Sequence, residues 1–179
     1  MEEDNTKRRI IALIFGGVLI VIVIPLVFYY ISRALDSYVG LNELLSSPVN
    51  WYIGLPIAIF GGTWSIISNI QLFNEGKGGP IPHPALETTS LVIRGVYKYS
   101  RNPMMFGYII LLIGLGFIFN SLFFLFLPNL MVNLPILLYI KLKEEKGLVR
   151  RFGEAYVQYK ERTAFMFPRP PKKPELTSP

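Results

Sequence analysis

The spacing of charged residues constrains this chain more than any other feature of its sequence. No charged residue occurs among the 39 positions of residues 102–140, and two further gaps, residues 10–31 and 51–73, are 22 and 23 residues long. A helix needs about 20 apolar residues to cross the hydrocarbon core of a bilayer. The two shorter gaps therefore predict one membrane-spanning helix each, and the longest gap predicts two.

Helix boundaries follow from the same gaps. Within residues 102–140, Asn120-Ser121 is the only adjacent pair of polar residues away from the ends, which predicts a tight turn between two helices. The predicted spans are residues 10–31, 51–73, 103–119 and 122–140. We therefore expect an all-α integral membrane protein with four transmembrane helices, in which residues 1–179 form a single domain.

The distribution of Lys and Arg predicts the orientation of these spans. With four crossings, 17 of the 18 basic residues fall on one side of the membrane together with both termini, and only Arg33 falls on the other. Because basic residues concentrate on the cytoplasmic side, the N- and C-termini are expected in the cytoplasm. The net charge of +6 is then a signal of membrane topology, and no recognisable nucleic-acid-binding module accompanies it.

Two segments on the basic side are expected to lie near each other. Residues 74–102 form a long loop with a Gly- and Pro-rich front, and Gly95-Val96-Tyr97 predicts a turn that brings Tyr97 back toward the helices. Residues 141–162 continue the fourth span as a cytoplasmic C-terminal amphipathic helix that packs on this loop or on the bilayer. Its apolar stripe is Val149, Phe152, Tyr156 and Tyr159. Residues 168–179, rich in Pro and Lys, are expected to form a disordered tail.

Small and polar residues inside the spans predict how the helices pack. Gly61, Gly62, Gly114 and Gly116 are expected to permit close approach of helices rather than to admit a ligand. Asn129 and Asn133 lie one turn apart and are costly to place in lipid, so they should face the bundle interior. Hydrogen bonds between helices are the favoured role for these two residues, ahead of substrate contact.

Several kinds of chemistry lack the residues they need. The chain contains no cysteine, which excludes disulfides, thiolate metal sites and cysteine nucleophiles. Its single histidine, His83, lies between two prolines and has no second histidine or cysteine with which to bind a metal ion. We therefore predict no metal site.

A series of short motifs on the basic side carries a family resemblance. Gly95-x-Tyr97 is followed by Arg101-Asn-Pro-Met-Met-Phe-Gly107, an apolar hairpin, Glu144-Glu145 and Phe152-Gly-x-x-Tyr-x-x-Tyr159. In this order and separation the motifs resemble the isoprenylcysteine carboxyl methyltransferase and phospholipid methyltransferase superfamily. The resemblance implies methyl transfer from S-adenosyl-L-methionine to a lipid-like or prenylated acceptor that enters from the bilayer. Membrane lipids would then be the partners of the protein.

The resemblance also implies a set of site residues. The segment before the Tyr contributes cofactor contacts in relatives, and Glu144 corresponds to the carboxylate that grips the cofactor. The implied cofactor-binding residues are Thr89, Ser90, Leu91, Val92, Tyr97, Asn102, Pro103, Met104, Met105, Glu144 and Glu145. For catalysis we expect Glu145, or a water that it holds, to take the proton of an amine acceptor, with Arg101 as a donor beside it.

Three positions depart from the family pattern. Asn102 stands where relatives carry His and can still donate and accept hydrogen bonds. Met105 stands where relatives carry Tyr and offers only an apolar wall. Prenylcysteine methyltransferases have an Arg four residues before the cofactor-binding Glu, whereas this chain has Ile140. The last change weakens the case for a free carboxylate as the substrate.

A non-enzymatic membrane protein is the competing interpretation. It would be either a methyltransferase scaffold that the changes at Asn102 and Met105 have inactivated, or a small transporter. No acid or base lies within the four predicted spans and no inverted repeat is visible, and both observations disfavour a transporter. The inactive scaffold stays open, because an active enzyme and an inactive relative can differ by one or two side chains.

Overall fold

The computed structural model describes residues 15–41, 43–76 and 88–172, and these form five helices apart from one 3₁₀ turn. The helices are α1 (Phe15–Tyr38), α2 (Val49–Gly76), α3 (Pro103–Ile118), α4 (Leu122–Phe152) and α5 (Glu154–Arg162). No strand occurs in the described residues, so the all-helical prediction is confirmed for this part of the chain. Three predicted features lie outside it: residues 10–14 of the first span, residues 77–87 with His83, and residues 173–179 of the tail.

Among the described residues, three helices are long and apolar enough to cross a membrane, namely α1, α2 and α4. The other apolar helix, α3, has 16 residues. That length corresponds to about 24 Å of helix, against about 30 Å of hydrocarbon in a typical bilayer. The count of four crossings therefore stays a prediction.

Small residues line the interface between α2 and α3 and let the two backbones approach closely. A Cβ atom added to Gly54 would lie 2.7 Å from the carbonyl oxygen of Gly114, and one added to Gly107 would lie 2.6 Å from the backbone nitrogen of Ser65. Because helices in lipid gain little from the hydrophobic effect, such close contact is a main source of their association. The predicted packing role is confirmed for Gly61, Gly114 and Gly116. It is wrong for Gly62, where an added Cβ would have Leu111 Cδ1 as its nearest neighbour at 3.8 Å.

The four longer helices run alternately up and down, which gives the bundle two ends. At one end α2 finishes at Gly76 and α3 begins at Pro103, and we call it the basic end because the described Lys and Arg residues other than Arg33 lie there. The opposite end holds the turn between α3 and α4, where Asn120 has a φ of 54°. The Asn120 side chain accepts from the backbone N–H of Leu45 and donates to its carbonyl oxygen, both at 2.8 Å. The turn predicted at this position is confirmed.

α1 is longer than the charge gap predicts. The gap ends the first span at Ile31, yet the helix continues to Tyr38 and places Asp36 inside a segment able to cross a membrane. Asp36 is 1% exposed, and its Oδ1 atom accepts a hydrogen bond from the backbone N–H of Phe123 at 3.3 Å. The expectation that no acid lies within the spans is therefore wrong. Since a helix N-terminus attracts negative charge, capping of α4 accounts for this buried acid without a transport role.

α4 does not stop at the predicted membrane boundary. The charge pattern predicts a span at residues 122–140 and a separate helix at residues 141–162, whereas one helix runs through to Phe152. The chain breaks at Gly153, whose φ of 56° lies in the left-handed region that glycine adopts readily. The predicted C-terminal helix is consequently divided between α4 and α5.

The asparagines inside α4 bond along their own helix. Asn133 is 1% exposed, as expected for a residue that faces the bundle. Its Nδ2 atom donates to Oδ1 of Asn129 at 2.7 Å, and Nδ2 of Asn129 donates to the carbonyl oxygen of Leu125 at 3.1 Å. The prediction that these amides form hydrogen bonds with other helices is therefore wrong. The π turn at Asn129–Asn133 shows that the local backbone departs from regular α-helix.

The tight α2–α3 contact predicts that alanine substitutions at two adjacent glycines differ in their effect on stability. Gly61→Ala should destabilise the fold by about 1–3 kcal/mol, because the added Cβ would lie 2.7 Å from the carbonyl oxygen of Gly107. Gly62→Ala is the matched control, since its Cβ would have Leu111 Cδ1 as nearest neighbour at 3.8 Å, an ordinary contact. Thermal unfolding of the purified protein in detergent measures both. A Gly61→Ala protein as stable as the control would contradict the close packing.

Candidate functional site

A glutamine on α2 folds the loop before α3 back onto the bundle. Gly95 has a φ of 53°, and the backbone N–H of Val96 donates to Oε1 of Gln71 at 3.2 Å. The 3₁₀ turn that follows buries Tyr97, whose hydroxyl lies 3.4 Å from the carbonyl oxygen of Ser68 on α2. The predicted turn that returns Tyr97 to the helices is confirmed.

The Arg101 guanidinium joins three segments of the chain. Its Nε and Nη2 atoms lie 3.0 and 2.8 Å from Oε1 of Glu145 on α4. Its Nη1 atom donates to the carbonyl oxygens of Lys160 at 2.7 Å and Thr163 at 2.6 Å, where α5 ends. The last carbonyls of a helix lack partners within the helix and attract positive charge. Arg101 therefore ties the start of α3 to both α4 and α5.

Both oxygens of the Glu145 carboxylate are occupied. Arg101 holds Oε1, and Nζ of Lys160 lies 2.8 Å from Oε2. The side chains of Glu145 and Arg101 are only 4% and 10% exposed, so water screens this pair little. Since an unpaired buried charge is strongly destabilising, each member of the pair stabilises the placement of the other.

After α5, residues 163–169 lie across the loop that leads into α3, and we call them the strap. The Ser100 hydroxyl donates to the carbonyl oxygen of Met166 at 2.7 Å. Nδ2 of Asn102 donates to the carbonyl oxygen of Phe165 at 2.8 Å. The strap is therefore held by side chains of the same loop that carries the family motif.

The chain stays packed beyond the predicted start of the tail. The backbone N–H of Arg169 donates to the carbonyl oxygen of Tyr99 at 3.1 Å. The N–H of Lys172 donates to the carbonyl oxygen of Arg162 at 3.0 Å. The prediction of a disordered tail from residue 168 onward is therefore wrong for residues 168–172.

Glu144 precedes Glu145 but has a different environment, because consecutive residues of a helix point about 100° apart. Its side chain is half-buried, and none of the described residues donates a hydrogen bond to its carboxylate. Burial raises the pKa of the Glu144 carboxyl, and the positive charge of Arg151 lowers it to a smaller extent. Burial, and to a smaller extent the Glu144 charge, raises the pKa of the Tyr97 hydroxyl above its ordinary value. Glu144 therefore lies within electrostatic range of Tyr97.

The segment before the Tyr motif, residues 89–92, lies at the end of α2. The backbone N–H of Thr89 donates to the carbonyl oxygen of Gly76 at 3.0 Å. The preceding residue, Thr88, accepts a hydrogen bond from Nη1 of Arg151 at 3.2 Å. Because the charge of Arg151 also acts on the Glu144 carboxylate, residues 89–92 and Glu144 lie on the same side of the basic end. We call this region, with Tyr97, the corner. Burial increases along the segment: Thr89 and Ser90 are exposed, Leu91 is half-buried and Val92 is buried.

Pro103, Met104 and Met105 form the first turn of α3. Pro103 and Met105 are buried and Met104 is half-buried. Proline suits the first helical position, because its missing N–H would have no partner within the helix there. Met105, which replaces the Tyr of relatives, adds a flexible apolar side chain to the buried face of this turn.

The interactions divide the predicted site residues into two groups. The first group is bonded to itself and to the strap, and it consists of Arg101, Asn102 and Glu145. The second group consists of Glu144, Tyr97 and residues 89–92. Arg151 bonds to Thr88 next to residues 89–92 and acts on Glu144, and the charge of Glu144 acts on Tyr97. The catalytic roles of Arg101 and Glu145 stay predictions, while their geometry is that of a structural ion pair.

Some residues that build the site escaped sequence reasoning. Lys160 pairs with Glu145 although the break at Gly153 separates them, so helical periodicity does not connect the two. Tyr159 was visible only as part of the apolar stripe, and its hydroxyl donates to the carbonyl oxygen of Tyr97 at 2.6 Å. That bond confirms the predicted packing of the C-terminal helix on the loop.

Residues 50–155 match the family model described as phospholipid methyltransferase. The match covers more than half of the chain, from the start of α2 into α5, and it includes both Glu144 and Glu145. Lys160 and the strap lie beyond the matched region. A search of curated proteins found no match.

The two neighbouring carboxylates should differ sharply in their contribution to stability. Glu145→Ala would leave Arg101 buried without its partner, which costs about 3–5 kcal/mol in comparable pairs. Glu144→Ala removes no described hydrogen bond, so we expect a loss of about 1 kcal/mol or less. Thermal unfolding midpoints in detergent compare the two proteins. Equal destabilisation would show that the Arg101–Glu145 pair does not hold the basic end together.

Proposed function

This chain belongs to the phospholipid methyltransferase family, and on that premise we propose that it transfers a methyl group from S-adenosyl-L-methionine to a lipid-like acceptor. The three apolar helices able to cross a membrane and the family membership make it an integral membrane protein. The reaction would take place at the basic end, where the family motifs meet. We place that end, and with it both termini, on the cytoplasmic side, because basic residues concentrate there.

The contrast between Glu144 and Glu145 carries this proposal. Both carboxylate oxygens of Glu145 are paired, one with Arg101 and the other with Lys160. These contacts hold the loop, α4 and α5 together. Glu144 is half-buried, without a hydrogen-bond donor among the described residues, and faces the corner formed by residues 89–92 and Tyr97. A partly desolvated carboxylate gains from a cationic ligand. One acid therefore supports the site, and the other has no hydrogen-bond donor within the part of the chain that the structure describes.

The chemistry of this corner fits the implied cofactor. When bound, S-adenosyl-L-methionine supplies a methyl group activated by a positive sulfur, and it also carries an ammonium group. Glu144 would hold the cationic part of the molecule. Residues 89–92 offer backbone and hydroxyl groups next to it, and the half-buried side chain of Leu91 offers apolar surface. Arg101 and Asn102 would act through the strap, since each donates to a carbonyl oxygen of the strap.

Methyl transfer is an in-line displacement, so the protein needs no covalent nucleophile. Positioning of the two reactants and exclusion of water can supply much of the rate. An amine acceptor would also have to lose a proton, and Glu145 is the base that the motif order predicts. That role stays a prediction, and both oxygens of Glu145 already contact Arg101 or Lys160.

Cofactor binding is tested by calorimetric titration of the purified protein with S-adenosylhomocysteine. Glu144→Gln should weaken binding by roughly tenfold or more, because one charged hydrogen bond contributes about 1.5–3 kcal/mol. Glu154→Gln is the matched control, since Glu154 is an exposed acid of α5. No binding to the unaltered protein at millimolar ligand would defeat the proposal. Equal affinities of the two variants would show that Glu144 is not the cofactor ligand.

Activity separates the enzyme from an inactive scaffold of the same fold. Membranes that contain the protein are incubated with methyl-labelled S-adenosyl-L-methionine, and the lipids are then extracted and separated. We expect label in a discrete lipid species, which would also identify the acceptor, and a large loss of label with Glu144→Gln. Cofactor binding without any labelled lipid would favour the inactive scaffold.

A further inference from the structure

The strap crosses the bundle near one boundary of the hydrocarbon core. A Cβ atom added to Gly107 would lie 2.6 Å from the backbone nitrogen of Ser65, so the start of α3 packs at the level of Ser65. The 16 steps along α2 from Val49 to Ser65 measure about 24 Å. Since the hydrocarbon core is about 30 Å thick, the start of α3 lies close to its edge on the basic side.

Aromatic rings connect this boundary to the strap. The ring centroid of Trp64 on α2 lies 6.0 Å from that of Phe106 in the first turn of α3. Phe106 lies 6.2 Å from Phe167 of the strap, and Phe167 is still 69% exposed. An exposed aromatic ring at this level of a membrane protein is typical of a contact with lipid.

Two exposed cations lie beside the same part of the strap. The backbone N–H of Arg169 donates to the carbonyl oxygen of Tyr99 at 3.1 Å. Nζ of Lys98 lies 5.9 Å from the centre of the Tyr99 ring. Both Lys98 and Arg169 are exposed, and no carboxylate of the described residues pairs with either. The strap and the loop therefore present an exposed ring together with two cations that no described acid neutralises.

We propose that the strap and the loop before α3 form a docking surface for an anionic phospholipid of the leaflet at the basic end. Phe167 lies against the acyl region of this lipid, and Lys98 and Arg169 contact its phosphate. Each basic residue near an anionic membrane surface strengthens binding roughly fivefold, the equivalent of about 1 kcal/mol. A lipid fits this surface better than a soluble phosphate, because it supplies hydrocarbon for the ring as well as charge for the cations.

A lipid docked at this surface would hold the strap in place. The strap is bonded to the loop through Ser100 and Asn102, so the same lipid would hold the loop that carries the family motif. The strap lies beyond residues 50–155, the part of the chain that matches the family. This lipid is a ligand of the strap and not the methyl acceptor, so the inference does not depend on the proposed function.

Hydrogen exchange of the full chain in nanodiscs tests the docking surface. Addition of phosphatidylglycerol to phosphatidylcholine nanodiscs should slow exchange of the strap amides, including the N–H of Arg169, by roughly fivefold or more. Glycerol phosphate added to nanodiscs of phosphatidylcholine alone should leave the exchange unchanged. Equal slowing by glycerol phosphate would overturn the lipid as the partner. Unchanged exchange with phosphatidylglycerol would overturn the docking surface itself.

Two pairs of cations provide variants with the same change of net charge. Lys98→Gln combined with Arg169→Gln removes the proposed phosphate contacts and should abolish the slowing. Lys146→Gln combined with Arg150→Gln removes two exposed cations of α4 at the same end of the bundle and should preserve it. Equal loss in both double variants would indicate a general attraction between the basic end and anionic lipid, and would overturn the specific surface.

The depth of Phe167 provides an independent test. The protein would carry Phe167→Trp together with Trp51→Phe and Trp64→Phe, which replace both tryptophans of the chain, so that one indole reports the position of the strap. In vesicles that contain phosphatidylglycerol, lipids brominated near the ester groups should quench its fluorescence, and iodide in the water should not. Quenching by iodide without quenching by the brominated lipids would overturn the contact between the strap and the bilayer.

Discussion

The buried ion pair between Arg101 and Glu145 is the interaction on which the basic end depends. It joins the loop before α3 to the end of α4, and Lys160 and the strap are added through the same two side chains. Replacement of such a pair by apolar residues can be neutral, whereas loss of one partner is strongly destabilising. The pair therefore stabilises one arrangement of three segments, together with the hydrogen bond from Tyr159 to Tyr97 and the bonds to the strap.

This arrangement places two surfaces next to each other. On the polar side, the half-buried Glu144 faces the corner that residues 89–92 and Tyr97 form. On the apolar side, α2 carries exposed apolar side chains, among them Leu55, Ile59 and Phe60. Tyr97 lies between them, since its hydroxyl approaches Ser68 and its carbonyl oxygen accepts a bond from Tyr159.

The helices were predictable from charge gaps because lipid tolerates few unpaired charges and requires every backbone group to be bonded within the segment. The same rule failed at Asp36, whose carboxylate is buried against the N-terminus of α4, because a partner contributed by another helix is invisible in a local window. Site prediction had a similar limit. The order of motifs predicted a loop and a pair of acids that lie at the same end of the bundle, but only the direction of each side chain shows that Glu145 bonds to Arg101 and Lys160 and that Glu144 does not.

The departures from the family pattern have structural roles that bear on the inactive-scaffold alternative. Asn102, in place of His, donates to the strap carbonyl of Phe165. Met105, in place of Tyr, is buried in the first turn of α3. Neither residue takes part in the corner where Glu144 lies, so these changes alone leave the proposed cofactor ligand in place. An imidazole at position 102 could make the same bond to the strap, because its N–H is also a donor. The changes therefore preserve the support of the site, and they give no physical reason for a loss of activity.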